Sequence, residues 1–129
     1  MNKILVEVSI GELLDKISIL EIKLDKIKDS ENLKFISNEH SILKKQLDNN
    51  VKSDDKLIKF FQSLKEINEK LWVIEDEKRQ CEKDKDFGKQ FIKLSRDVHF
   101  LNDERAKIKL DINNHTGSSI KEIKEYTSY

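Results

Sequence analysis

The chain has 129 residues, 36% hydrophobic and 39% charged, with no proline, three glycines, and 25 basic side chains against 25 acidic ones. That length supports one core and no second domain, and the missing proline removes the strongest helix breaker from the whole chain. The charge balance also holds locally, with five basic and six acidic side chains over residues 1–29, so no basic surface is expected for nucleic acid or an anionic membrane.

Residues 3–8, Lys-Ile-Leu-Val-Glu-Val, are aliphatic and largely β-branched, which predicts a short strand. Ser9-Ile10-Gly11-Glu12 has a capping-box pattern and predicts a helix over about 10–28, burying Leu13, Ile17, Leu20, Leu24 and Ile27. After the polar break at Asp29-Ser30, a second helix is predicted over about 31–49, with Leu33, Ile36, His40, Leu43 and Leu47 on its inner face. The polar stretch around Asn49 to Asp55 is the clearest loop. A long helix follows over about 55–84, with Leu57, Phe60, Leu64, Ile67, Leu71, Ile74 and Cys81 in heptad register. Asp86 is the expected N-cap of a last helix over about 87–114, which stops at Asn113-Asn114-His115-Thr116-Gly117.

Short connections make successive helices antiparallel neighbours. The expected fold is therefore all-α: an antiparallel bundle of four helices in a single domain, a long coiled-coil-like hairpin with a shorter hairpin on part of it. The N-terminal strand needs a partner, since an isolated strand is unstable and an open edge invites pairing. The tail, 115–129, either supplies that partner or leaves the task to a second chain, so a homodimer is expected.

Arg105 is the most informative residue for function. It interrupts the stripe Phe91, Leu94, Val98, Leu101, Ile108, Ile112, where a guanidinium must find carboxylate or carbonyl partners. It is also one of only three arginines among 25 basic residues, which makes its planar donor geometry look chosen. Antiparallel pairing places it level with Glu66, Asn68 and Glu69, and places Arg96 level with Glu75 and Asp76. One reading is a polar layer in which both arginines make inter-helix salt bridges that hold register. The other is an anion pocket in which Arg105 and Arg96, with Asn102, Asp103 and Lys16 converging on them, grip a carboxylate or phosphate.

Other chemistry is sparse. Asp15, Lys16, Glu21 and Lys23 read as a solvated flank of the first helix, although Leu14-Asp15-Lys16-Ile17 faintly resembles the first helix of chorismate mutase without its arginines. Glu66-x-x-Glu69 resembles the acid pairs of helical magnesium-dependent pyrophosphatases, a spacing that chance supplies in an acid-rich chain. His40, His99 and His115 are scattered without metal-ligand spacing, so no metal and no cofactor is expected. Trp72 is a core residue or a partner anchor, and Tyr126 and Tyr129 must dock on the bundle or on another chain. The lone Cys81 points to a reducing, cytoplasmic compartment. Ile4-Leu5-Val6 is too short for a signal core, and no run approaches the ~20 apolar residues of a membrane span.

The motifs Ile4-Leu5-Val6-Glu7-Val8-Ser9, Gly11-Glu12-Leu13-Leu14-Asp15-Lys16-Ile17, Ile19-Leu20-Glu21-Ile22-Lys23, Asn68-Glu69, Leu71-Trp72, Asp86-Phe87-Gly88 and Asn102-Asp103-Glu104-Arg105-Ala106 run nearly the length of the chain. In these the chain resembles a family of short helical bacterial and phage proteins that form a domain of unknown function. The resemblance implies an accessory role beside surface-polysaccharide and glycosyltransferase genes, and no catalytic residue. The expectation is a binding or adaptor protein, with a glycosyltransferase-type enzyme as a possible partner. The alternative is a helical-bundle enzyme or a binding protein for a small anion.

Overall fold

The computed structural model describes residues 2–129. Four helices make up the fold: α1 (Ile10–Lys26), α2 (Ser30–Asn50), α3 (Asp55–Asp84) and α4 (Lys89–Thr116). Side-chain caps start the first three. Ser9 Oγ accepts from the Glu12 amide at 3.0 Å, Asp29 from Asn32 at 3.0 Å and Asp54 from Leu57 at 2.7 Å, each satisfying an orphan donor of a first turn. The capping box at Ser9 is only half formed, because the Glu12 carboxylate turns to lysines instead.

At α4 the cap moves two residues on from the expected Asp86. Gly88 holds the N-cap position with no side-chain hydrogen bond, while Asp86 accepts from the Gly88 amide at 3.1 Å. Asp86 thus closes the turn before the helix rather than the helix end itself. The preceding helix ends on Lys85 in the left-handed conformation, and α4 ends on Gly117 at φ 69°, a backbone that glycine adopts without a Cβ penalty.

α1 lies against α2, α3 and α4, whereas α2 approaches α1 alone. Helices α3 and α4 run antiparallel: Phe60 meets His115 near one end, and Lys78 lies over the Phe91 ring near the other. At 1.5 Å per residue α1 spans only about half the length of either long helix. Its central place explains a burial pattern wider than one stripe, including Gly11, Leu14, Asp15, Ile17, Ser18, Leu20 and Ile22. Leu14, Leu57, Leu64 and Ile112 form the core cluster, joined by Ile10, Leu47, Val51, Phe60, Phe61 and Ile108. Beyond the reach of α1 the α3–α4 hairpin buries little besides Cys81 and Leu94, and it leaves Val73, Phe87, Ile92 and Phe100 exposed.

The strand expected over 3–8 does not form; residues 2–8 are exposed and outside any helix or strand. A strand needs a neighbour for its backbone hydrogen bonds, and among the described residues none is offered. The tail that was one candidate lies along α4 instead, where Tyr129 donates to Asp103 and Glu122 meets Lys109. No helix of the described residues is long and apolar enough to cross a membrane.

Candidate functional site

The centre of the site is Asp15, which α1 carries into the core at 1% exposure. Gly11, Asp15, Ser18 and Ile22 recur at steps of four, three and four, so a second face of α1, made of small and polar residues, turns toward the long helices. Arg105 reaches Asp15 from α4 with two parallel hydrogen bonds, Nε to Oδ1 at 2.9 Å and Nη2 to Oδ2 at 2.5 Å. This fork-to-fork geometry is the one arginine offers and lysine does not. Asn68 on α3 uses both amide hydrogens inward, on Asp15 Oδ1 at 2.9 Å and on Ser18 Oγ at 2.8 Å. The Ser18 hydroxyl in turn donates to the Asp15 carbonyl at 2.7 Å. Asn102 completes the layer with a longer contact of 3.4 Å to Arg105 Nη1.

One carboxylate therefore ties three helices together. Burial pushes the Asp15 carboxyl upward. The hydrogen bonds from Arg105 and Asn68 and the charges of Arg105 and Lys109 outweigh that, and its pKa lies below the ordinary value. The hydrogen bond to Asp15 raises Arg105 further above its own, against the opposing effect of burial. A carboxylate held ionised, with both oxygens engaged, is poorly placed to exchange protons near neutrality.

A second polar cluster sits one to two turns away, where the start of α1 meets the end of α4. Asn113 Oδ1 accepts from the Gly11 amide at 2.7 Å, and Ser118 Oγ accepts from the Ile10 amide at 3.2 Å. These cap amide groups that no helix carbonyl can reach. Gly11 is required here by close approach, since a Cβ would lie 2.5 Å from the Lys109 carbonyl oxygen. The Lys109 ammonium, almost wholly buried, bridges Glu12 at 2.6 Å and Glu122 of the tail at 3.5 Å. Every buried side-chain nitrogen and oxygen among the described residues has a hydrogen-bond partner.

The residues singled out from sequence do not gather in one place. Arg105, Asn68 and Asn102 converge, but through Asp15, which sequence reasoning placed on a solvated flank. Glu66 and Glu69 do not reach Arg105; they edge an open cleft of about 660 Å³ floored by Val73, Ile74, Phe100 and Leu101. Arg96 is exposed and stacks over the Phe100 ring at 5.7 Å, while Glu75 pairs with Arg79 at 3.2 Å. Lys16 is a surface residue 3.7 Å from Glu12. Trp72, half-buried, lines a cleft of about 450 Å³ with Ile19, Ile22, Leu71 and the outer edge of Arg105. Tyr129 joins Asp103, His99 and Phe100, and Tyr126 stands exposed on the tail.

Arg105 thus meets Asn68 at the expected level of the hairpin, through Asp15, whereas Arg96 stacks on Phe100 of its own helix. Ser18, Lys109, Asn113 and Glu122 were not foreseen. The signal for the first was present, in the small residues Gly11 and Ser18 flanking Asp15 on one face. Two histidines each pair with a single acid: His40 lies 3.4 Å from Glu21, which also holds Lys65, and His115 lies 2.8 Å from Asp54. Among the described residues no group of three or more His, Cys, Asp or Glu is arranged to hold a metal.

Residues 4–129 match the model of a family of unknown function, DUF6165. No curated protein and no solved structure matches the chain.

Proposed function

We propose that this chain, which belongs to the family of unknown function DUF6165, is a non-enzymatic helical binding or adaptor protein that works as a homodimer in the cytoplasm. The observation that carries the reading is the commitment of Arg105 to Asp15 through two hydrogen bonds inside the bundle. The guanidinium that would have been the anchor of an anion pocket holds helices together instead, and Arg96 lies on another face.

Apolar side chains also remain exposed: Val73, Phe100 and their neighbours on the α3–α4 cleft, and Ile4, Leu5 and Val6 ahead of α1. Grooves of this kind, rimmed here by Glu66, Glu69 and Asp97, suit a protein partner. The accessory role beside surface-polysaccharide and glycosyltransferase genes that the chain's resemblance implies makes a glycosyltransferase-type enzyme the partner to test first. The free thiol of Cys81 supports a reducing compartment.

A small-anion site keeps one foothold, because the outer edge of Arg105 borders the Trp72 cleft. Native mass spectrometry of the chain purified from its own cells, with cross-linking, separates the two. The expected result is a cross-linked protein partner that Val73→Glu and Phe100→Glu remove while Trp72→Ala does not. A stoichiometric small molecule lost with Trp72→Ala would replace this reading with the anion-binding one, and recovery of neither would sink both.

A further inference from the structure

Residues 2–8 are exposed throughout, with Ile4 at 87% and Leu5 at 91%, a degree of apolar exposure found nowhere else in the described chain. The segment nevertheless leaves the bundle from a fixed point. Ser9 is buried and caps α1, and the amides of Ile10 and Gly11 are held by Ser118 and Asn113. A short aliphatic run is thus presented at a defined place, with backbone groups that no residue among the described ones pairs.

Its sequence is complementary to itself. Lys3-Ile4-Leu5-Val6-Glu7 has a cation and an anion placed symmetrically about Leu5. We propose that residues 3–7 of two copies pair as antiparallel strands across a twofold axis at Leu5. In that register Lys3 of each copy lies opposite Glu7 of the other, Ile4 lies opposite Val6, and Leu5 meets Leu5. Opposite charges directly across an antiparallel ladder are favourable and like charges are not. A parallel in-register pairing sets lysine on lysine and glutamate on glutamate. Sliding the antiparallel register by two residues sets Leu5 opposite Glu7 or Lys3 and breaks both ion pairs, and sliding it by one turns the apolar side chains to the other face.

The pairing is isologous, as a closed dimer requires. It gathers Ile4, Val6 and Val8 of both copies on one face of a two-stranded ribbon, and the tethered bundles offer surface for that face to cover. A free ribbon of this length is marginal; here both strands are held at their C-terminal ends by folded α1 helices.

This inference rests on the reading of the chain as a homodimer, and its test separates the two. Sedimentation equilibrium on the full chain, with melting curves as a control for folding, compares wild type with Lys3→Glu, Glu7→Lys and the double exchange. Each single change places two like-charged pairs across the ribbon and is expected to weaken dimerisation about tenfold at low salt. The double exchange recreates both ion pairs with reversed polarity and is expected to restore wild-type affinity. A monomeric wild type overturns the pairing and the homodimer together. A dimer indifferent to the single changes, or one that the double exchange fails to restore, overturns the pairing and leaves the homodimer standing.

Discussion

Asp15 and Arg105 lie 90 residues apart in sequence and share two hydrogen bonds of 2.9 and 2.5 Å, so the first and last helices are joined at one buried carboxylate. Asn68 brings α3 to the same oxygen that Arg105 Nε uses. The pair is a structural tie whose loss has a signature different from that of a simple cavity.

Removing one partner leaves the other buried and unpaired. Arg105→Met strands the Asp15 carboxylate with Asn68 alone, and a loss on the order of 3 kcal/mol is expected. Asp15→Leu combined with Arg105→Met removes both charges and is expected to recover part of that loss. Urea unfolding of the single and double variants measures it; a single variant as stable as wild type rules out the tie.

The same carboxylate governs behaviour in acid. Its folded pKa is depressed, so its stabilising contribution is fully present above the unfolded value of about 3.9 and is lost as pH falls through the folded value. Unfolding free energy measured from pH 6 to pH 2 is expected to fall more steeply below about pH 4 for wild type than for Asp15→Asn, which has no carboxyl to titrate there. Parallel curves for the two proteins would contradict the assignment.

Gly11 makes a prediction opposite to helix propensity. In a free helix Gly→Ala stabilises by about 1 kcal/mol. Here the new Cβ would lie 2.5 Å from the Lys109 carbonyl oxygen, so α1 and α4 must part and the Gly11–Asn113 hydrogen bond must lengthen. Gly11→Ala is expected to cost on the order of 2 kcal/mol, read as a lowered melting temperature. A raised one would show that the helices are not held this close.

The tail has its own switch in alkali. The hydrogen bond Tyr129 donates to Asp103 raises the phenol above its ordinary value, with burial and the Asp103 charge acting in the same direction. The docking contribution is therefore present below the unfolded pKa of about 10 and is lost as pH rises through the folded value. Ultraviolet titration is expected to show Tyr129 ionising above the ordinary tyrosine value, a late step that Tyr129→Phe is expected to remove. Absence of any late step lost with Tyr129→Phe would leave the tail undocked.

Much of this architecture was legible in the chain because helices announce themselves locally. The heptad run from Leu57 to Cys81 placed α3, the stripe from Phe91 to Ile112 placed α4, and the level of Arg105 against Asn68 followed from antiparallel pairing. The partner of Arg105 was not legible. Asp15 sits beside Lys16 in a charged helix, and its burial depends on α1 being surrounded by three helices, a long-range fact that a one-stripe reading misses. The strand over 3–8 failed for the converse reason: its residues favour extension, but strand formation requires a second backbone.

Periodicity and capping, which act within a few residues, were enough to determine four helices, most of their inner faces and the odd guanidinium among them. Only the tertiary structure decided which carboxylate that guanidinium meets, which charged residues are buried, and where the tail lies. Those outcomes turn on the rotation of each helix about its axis and on contacts across 50 to 100 residues of chain, and spacing along the sequence carries no information about either.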